Sequence, residues 1–237
     1  MSMELKIAHL YPDDLCVCGD GGNIRCMVQR LRWRGIDCTV RELVVGSDAP
    51  YADFDLFFMG GGEEFEKSLL DDLRNGRADE LRAAIEYGRT FLCVGGGLQL
   101  LGKLGILDIR TEAGEKRHFG NYVYQMDAAD GGHTVIGFEN HAARTWLGPG
   151  LRPMGTVISG FGNNGEDGSE GLRYKNVFGC YSHGPVLPLN PALCDLILET
   201  ALSHKYGEPI KLEPLADGAE TAARSALLKR LTGKGKE

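Results

Sequence analysis

The sequence lacks the features that membrane insertion, secretion and nucleic-acid binding demand. No stretch approaches the roughly 18 consecutive apolar residues of a membrane-spanning helix, and the opening MSMELKIAHLYPDD carries acidic residues where a secretory signal carries basic ones. The net charge is -7 and the isoelectric point about 5.4. No basic stripe with interleaved aromatic residues offsets this acidity. These absences predict a cytoplasmic protein that neither inserts into a membrane nor binds nucleic acid.

The seven cysteines lack the regular spacing of a disulfide framework. The CVC at 16–18 is shorter than a CxxC pair, and Cys180 with His183 supplies only two potential metal ligands. The glycines near position 20 belong neither to a GxGxxG motif nor to a Walker loop with its lysine. We therefore expect reduced thiols, no metal and no cofactor.

Apolar strands alternate with amphipathic helices through the first hundred residues. The pattern predicts strands at 5–10, 39–45, 54–59 and 91–94, and helices at 23–34, 66–74 and 78–87. A continuous apolar run such as FDLFFM at 54–59 is typical of a parallel strand that is covered on both faces. This half of the chain predicts an α/β fold with a doubly wound, mostly parallel sheet flanked by helices.

The rhythm changes after Leu104 to short strands of mixed pattern joined by polar turns, which predicts an antiparallel layer. The segment FGNNGEDGSEGLRYKN at 161–176 has the composition of a long exposed loop, and VFGC at 177–180 of a last core strand. Helices are expected at 191–204 and 219–231. Because no linker or repeat interrupts the chain, we predict a single domain over 1–237.

The stretch FLCVGGGLQLLG at 91–102 predicts a strand, a sharp turn and a helix. Such a turn lifts its central residue above the sheet edge and points backbone N–H groups at one place, and nucleophile elbows expose Ser or Cys there. The apex in this chain is glycine. A second glycine run at 60–62 also follows a strand, so both turns lie at carboxyl ends of strands, where open α/β sheets place their sites.

Four motifs follow one another along the chain: MGGG at 59–62, GGLQLLGK at 96–103, GFENHAART at 137–145 and YSHGPVLPLNP at 181–191. In this combination the sequence resembles the triad-type, class I glutamine amidotransferases of the cobyric acid synthase group, and within it the glutaminase subunits of lipid II isoglutaminyl synthase. The resemblance implies a subunit that hydrolyses glutamine. Its ammonia would pass to a Mur-ligase-like, ATP-dependent partner that amidates D-glutamate in lipid II during peptidoglycan synthesis.

The resemblance also implies roles for individual residues. His183 matches the family histidine that takes up and delivers protons, and Arg117 matches an arginine that contacts the substrate. The backbone N–H groups at Gly61, Gly62 and Gly96 match the positions that hold the oxyanion of the tetrahedral intermediate.

The departure from the family pattern lies at Gly95, which stands at the position of the nucleophilic cysteine. Cys93, two residues earlier, lies about 6.5 Å back along the strand. We expect it in the core, and the alternative is that it serves as a displaced nucleophile. Either Asp20 or Glu139 is a candidate to orient His183. The longer segment that relatives carry after the elbow helix is also missing, since LGK runs directly into LGILD.

Three interpretations follow from this departure. The chain is a glutaminase subunit disabled by Gly95, a natural pseudoenzyme that keeps its partner surface, or a stand-alone module that binds glutamine or another amino acid. For the two subunit interpretations, we expect the docking surface to include the helices after Pro191 and the loop near Asn163 and Asn164.

Overall fold

The computed structural model describes residues 3–62 and 65–233. Its larger sheet has six strands in the order β2-β1-β3-β4-β10-β9, and only β9 runs antiparallel to its neighbour. The strands are β1 Glu4–Leu10, β2 Asp37–Leu43, β3 Leu56–Met59, β4 Thr90–Val94, β9 Leu172–Tyr174 and β10 Val177–Cys180. Strands β3 and β4 are buried along their whole length, as the continuous apolar runs predicted.

Helices cover both faces of this sheet. They are α1 Gly21–Trp33, α2 Lys67–Asp72, α3 Ala78–Tyr87, α4 Gly96–Lys103, α5 Val186–Leu189, α6 Pro191–Tyr206 and α7 Gly218–Leu231. Because strand side chains alternate, Leu5 and Ile7 pack in the core with α1 and α6, whereas Ala8 and Leu10 pack with α2, α3 and α4. The predicted doubly wound, mostly parallel α/β fold is confirmed.

The second sheet is antiparallel and has the order β6-β5-β7-β8. Its strands are β5 Ile109–Met126, β6 Thr134–Leu147, β7 Gly155–Ser159 and β8 Ser169–Glu170. The antiparallel layer is confirmed, but the prediction of several short strands is wrong for this segment. Strands β5 and β6 are 18 and 14 residues long, and an irregularity between Ala113 and His118 lets β5 continue across polar residues.

The prediction that the segment at 161–176 is an exposed loop is wrong in two places. Its last part forms the strands β8 and β9, and two asparagines in its first part are buried. Asn163 and Asn164 are 0% and 2% exposed. The Asn163 side chain donates to Gly171 O and accepts from Gly171 N, and Asn164 Oδ1 accepts from the amides of Glu166 and Asp167. These two asparagines organise the turn before β8, so they do not belong to an exposed docking surface.

The two sheets are joined where β10 ends. Phe138 on β6 exchanges both backbone hydrogen bonds with His183, at 2.8 and 3.3 Å. This bridge places Phe138 of the antiparallel layer just beyond the carboxyl end of β10. In the described parts of the chain, no helix combines the length and the apolar character needed to cross a bilayer. That the chain is a single domain over 1–237 stays a prediction.

Candidate active site

The predicted elbow forms between β4 and α4. Gly95 has φ +50° and ψ -108°, a backbone conformation that glycine adopts without steric cost. Its N–H donates to Cys180 O at 2.8 Å, and Gly97 N donates to Gly60 O at 3.0 Å. These bonds tie the turn to β10 on one side and to the glycine run after β3 on the other. Backbone hydrogen bonds therefore hold the apex in place.

The elbow apex points at the imidazole of His183. A Cβ atom built on Gly95 would lie 2.8 Å from His183 Nε2 and 2.9 Å from Cε1. A side chain at this position would thus meet the ring nitrogen that a general base uses. His183 is itself 3% exposed, so its ring is held within the fold rather than in solvent.

Asp20 is the residue that orients His183. Its Oδ2 and Oδ1 atoms lie 3.2 and 3.3 Å from His183 Nδ1, and Asp20 is fully buried. Because an ionised carboxylate only accepts hydrogen bonds, the ring donates through Nδ1–H and keeps its lone pair on Nε2. Glu139, the other candidate, instead accepts from the amides of Phe161 and Gly162 at 3.0 and 3.1 Å.

The three amides expected to hold an oxyanion are not equivalent. Gly61 N donates to Asp20 Oδ2 at 2.7 Å, so this N–H is already bound to the carboxylate that orients His183. Gly62 and Gly96 both line the cavity in front of the elbow. Gly96 is the first residue of α4, where amides have no partner within the helix. An oxyanion here would use Gly62 and Gly96, and Gly61 N would serve only if its bond to Asp20 broke.

The cavity in front of the elbow has a volume of about 250 Å³. Its wall also includes Gly95, His183 and Arg117, so the fold brings the predicted residues together. Arg117 Nη1 donates to Asn140 Oδ1 at 2.9 Å, which fixes the guanidinium on the β5–β6 side of the cavity. Three larger cavities among the described residues, of about 800, 780 and 530 Å³, contain neither Gly95 nor His183.

The thiol two residues before the elbow, Cys93, differs in character from the one on the cavity wall, Cys18. Cys93 is fully buried in β4, and burial raises the pKa of its thiol to about 12, so the thiolate is scarce at neutral pH. Cys18 is exposed and lies on the cavity wall with His183. Its φ of +55° is uncommon for a residue other than glycine. Sequence reasoning missed Cys18, because no spacing rule connects the first loop with the elbow.

Sequence reasoning also missed Asn140 and His141 on the cavity wall. His141 belongs to a buried group with His118 and Glu139, which is the one set of at least three metal-ligand side chains among residues 3–62 and 65–233. Burial, with the nearby Arg144 and His141, lowers the pKa of His118 to about 4, so this ring is neutral at neutral pH. The possible pair of Cys180 and His183 belongs to no such set of described residues.

Comparison with known proteins agrees with this geometry. The CobB/CobQ-like glutamine amidotransferase domain matches residues 6–191. The chain is 37% identical to the lipid II isoglutaminyl synthase (glutamine-hydrolyzing) subunit GatD of Staphylococcus aureus, over 96% of each chain. It is 35% identical to the GatD subunit of Streptococcus pneumoniae, over 90% of this chain and 86% of that one.

Solved structures show the same fold. A glutamine amidotransferase from Thermotoga maritima superposes with a TM-score of 0.59 at 16% identity, over 96% of this chain and 98% of the other. At such low identity the likeness concerns the fold alone. The sequence matches carry the family assignment, because the domain match covers most of the chain and the similarity to the GatD subunits extends nearly from end to end. The chain therefore belongs to the CobB/CobQ-like glutamine amidotransferase family.

Proposed function

We propose that this chain is the glutamine amidotransferase subunit of a two-subunit enzyme that amidates lipid II, and that it does not hydrolyse glutamine itself. One observation carries the proposal: the elbow, the base and its carboxylate are assembled, but the apex that faces His183 Nε2 is Gly95. The similarity to the GatD subunits supports the assignment to lipid II amidation.

The cavity explains what the assembled residues would do with glutamine. Arg117 offers a guanidinium for the substrate carboxylate. The Gly62 and Gly96 amides would donate hydrogen bonds to the side-chain carbonyl oxygen as negative charge develops on it. The N-terminus of α4 would stabilise the same charge. His183 would accept a proton through Nε2 and return it to the departing ammonia, with Asp20 holding the ring.

The missing step is the covalent one. In a thiol amidotransferase the cysteine sulfur attacks the amide carbon, the carbon–nitrogen bond breaks, and ammonia leaves with the proton delivered by histidine. Gly95 offers no atom to attack. Loss of the nucleophile from such a unit costs on the order of a million-fold in turnover. The chain would therefore still bind glutamine without hydrolysing it. Ammonia release near one per second from the purified chain would contradict this proposal.

Cys18 requires a specific control, because it is a thiol on the wall of the same cavity. Cys18→Ser removes this thiol and leaves Gly95, His183 and Asp20 unchanged. If the chain released ammonia from glutamine and Cys18→Ser abolished the release, a displaced nucleophile would replace the inactive interpretation. We expect both proteins to be equally inactive.

The proposed partner is a Mur-ligase-like, ATP-dependent synthetase subunit, and the proposed location is the cytoplasm. The exposed surface offers two places for docking. Helix α7 has no buried residue. Phe119 on β5, whose ring packs on Phe138, is 64% exposed, and Phe161, whose ring stacks on His118, is 46% exposed. Large exposed aromatic side chains of this kind are enriched in protein interfaces. We propose that Phe161, rather than Asn163 and Asn164, contributes the loop side of the interface, and that Phe119 contributes to the interface from β5.

Co-expression with the cognate ligase tests the subunit assignment. We expect a heterodimer on size-exclusion chromatography at micromolar concentration, and amidation of lipid II with ammonia but not with glutamine as nitrogen source. The Phe119→Asp and Phe161→Asp variants should weaken the complex, while Tyr87→Asp, an exposed aromatic on α3, should not. A chain that elutes alone beside its ligase favours a stand-alone module that binds glutamine or another amino acid.

A further inference from the structure

Three potential metal ligands lie on one face of the β5–β6 ribbon. Glu139 and His141 are two residues apart on β6, so their side chains point to the same face. His118 on β5 is the direct cross-strand partner of His141, which brings its side chain to that face as well. The three side chains are thus assembled by the pairing of two long strands, not by a flexible loop.

All three residues are withdrawn from solvent. His118, Glu139 and His141 are 6%, 1% and 2% exposed. The ring of His118 stacks on Phe161 with centroids 4.2 Å apart, and the ring of His141 stacks on Tyr181 at 3.9 Å. Buried polar groups normally have hydrogen-bond partners, and the exceptions need an explanation.

Both histidines have a buried nitrogen without such a partner. His141 Nδ1 lies 2.8 Å from Ala143 O, and because a carbonyl only accepts, the ring donates there and keeps its lone pair on Nε2. His141 Nε2 and His118 Nδ1 have no hydrogen-bond partner among residues 3–62 and 65–233. A ring whose second nitrogen is fixed by a backbone carbonyl is the usual arrangement of a histidine that ligates a metal.

Glu139 supplies carboxyl oxygens that are held in place by backbone amides. Its two oxygens each accept one backbone N–H, from Phe161 and from Gly162. A carboxylate has about four lone-pair sites, so each oxygen keeps one for a further contact. Glu139 Oε2 lies 3.8 Å from His141 Nε2.

We propose that His118, Glu139 and His141 form a binding site for a divalent transition-metal ion such as Zn²⁺. The potential ligand atoms all lie within 4.8 Å of one another. Ligands of a tetrahedral zinc ion stand roughly 3.4 Å apart, so the widest separation shortens by up to about 1.4 Å on binding. The irregularity of β5 just before His118 is where this movement is accommodated. Two imidazoles and one carboxylate favour zinc, cobalt or nickel over magnesium and calcium, which prefer oxygen ligands.

The proposed site adjoins the elbow cavity but is independent of the glutamine proposal. His141 is the shared residue, since it also lines the cavity with Gly95 and His183. Two histidines and a glutamate leave a fourth coordination position open, as in catalytic rather than structural zinc sites. An ion bound here would place a positive charge beside the cavity wall.

Metal titration of the full chain tests the proposal. The Cys18→Ser protein is first dialysed against a chelator. It is then titrated with Zn²⁺ and, in a separate experiment, with Co²⁺, and binding is followed by calorimetry. We expect one ion per chain with a dissociation constant at or below about 1 µM. His118→Gln and His141→Gln should each weaken binding by at least about 100-fold, and the exposed His133→Gln should leave it unchanged. Circular dichroism verifies that each variant is folded.

The Co²⁺ absorption spectrum provides a readout that does not depend on the variants. Nitrogen and oxygen ligation gives visible bands without the near-ultraviolet charge transfer of a thiolate ligand. Three results would each overturn the site. They are absence of binding, binding by His118→Gln and His141→Gln as tight as that of the parent, and a thiolate band from one of the remaining cysteines.

Discussion

The two sheets contribute opposite kinds of group to the same cavity. The six-stranded sheet provides backbone and general-base chemistry, with Gly62, Gly96 and the Asp20–His183 pair at its strand ends. The four-stranded sheet provides side chains, with Arg117 and His141 on its two long strands. The first set surrounds Gly95, which has no side chain, whereas the second set offers a guanidinium and an imidazole to the same cavity. The comparison indicates that the antiparallel layer supplies the side chains of the cavity wall, whereas the parallel sheet supplies its backbone amides and the Asp20–His183 pair.

The largest expected effect restores what the parallel sheet lacks. Gly95→Cys places a sulfur in front of His183 Nε2, and we expect covalent labelling by a glutamine-analogue electrophile and a gain in ammonia release of up to about a million-fold. The imidazole must shift, since the new Cβ would lie 2.8 Å from Nε2. The positive φ adds strain of about 1 kcal/mol or more, which a thermal melt measures.

Gly95→Ala is the matched control for that experiment, because it carries the same backbone strain without a thiol. It should lose the same stability and gain no label. A folded Gly95→Cys protein that remains unlabelled would show that the base and the amides are no longer arranged for a thiolate.

The second effect concerns Asp20 and is measured in the Gly95→Cys background. An asparagine at position 20 turns an N–H toward His183 Nδ1, which moves the ring proton to Nε2 and removes the lone pair that the thiol needs. We expect the rate of labelling to fall about 100- to 10,000-fold. Glu139→Gln in the same background should change that rate by less than tenfold, because Glu139 binds the amides of Phe161 and Gly162. An equal loss in both variants would contradict the assignment of Asp20.

The third effect lies at the seam between the sheets, at Glu170 on β8. Burial raises the pKa of its carboxyl to about 7 from an ordinary 4.5. The folded protein therefore keeps a proton that the unfolded chain loses, and the free energy of unfolding falls as the pH rises from 4.5 to 7. At low pH the raised pKa of Glu170 contributes roughly 3 kcal/mol to the free energy of unfolding, and this contribution is lost by the time the pH is above 7.

Glu170→Gln cannot titrate, so the difference in unfolding free energy between the parent and this variant should decline with rising pH across that window. Urea melts at pH 4.5, 5.5 and 7 measure it. Glu208→Gln, which removes an exposed carboxylate, serves as the control. A difference that grows with pH would mean that the carboxylate form of Glu170 is the one that the fold stabilises.

The smallest effect distinguishes the two thiols. Cys18 is exposed, so Cys18→Ser should change stability by less than about 0.5 kcal/mol, whereas Cys93→Ser places a hydroxyl in the core and should cost about 1 to 3 kcal/mol. A general alkylating reagent should modify Cys18 in the folded protein and leave Cys93 intact until denaturant is added. Mass spectrometry of the digested protein identifies the modified residue.

The sequence by itself determined the parallel half of the molecule. Runs such as FDLFFM at 54–59 admit few other interpretations, because a strand that is apolar on both faces must be covered on both faces. Glycine runs after two such strands located Gly62 and Gly96 at one sheet edge, since the carboxyl ends of parallel strands meet there. Motif order placed Gly95 and His183 in the same site.

Only the tertiary structure decided which side chains meet. Asp20 rather than Glu139 reaches His183, because the first loop folds over the end of β10, and the same packing brings Cys18 to the cavity. His118 and His141 face each other only because β5 and β6 pair in one register, and a shift of a single residue would send one ring to the opposite face. Residue types and local periodicity carry no information about register between distant segments, which is fixed by the packing of the whole layer.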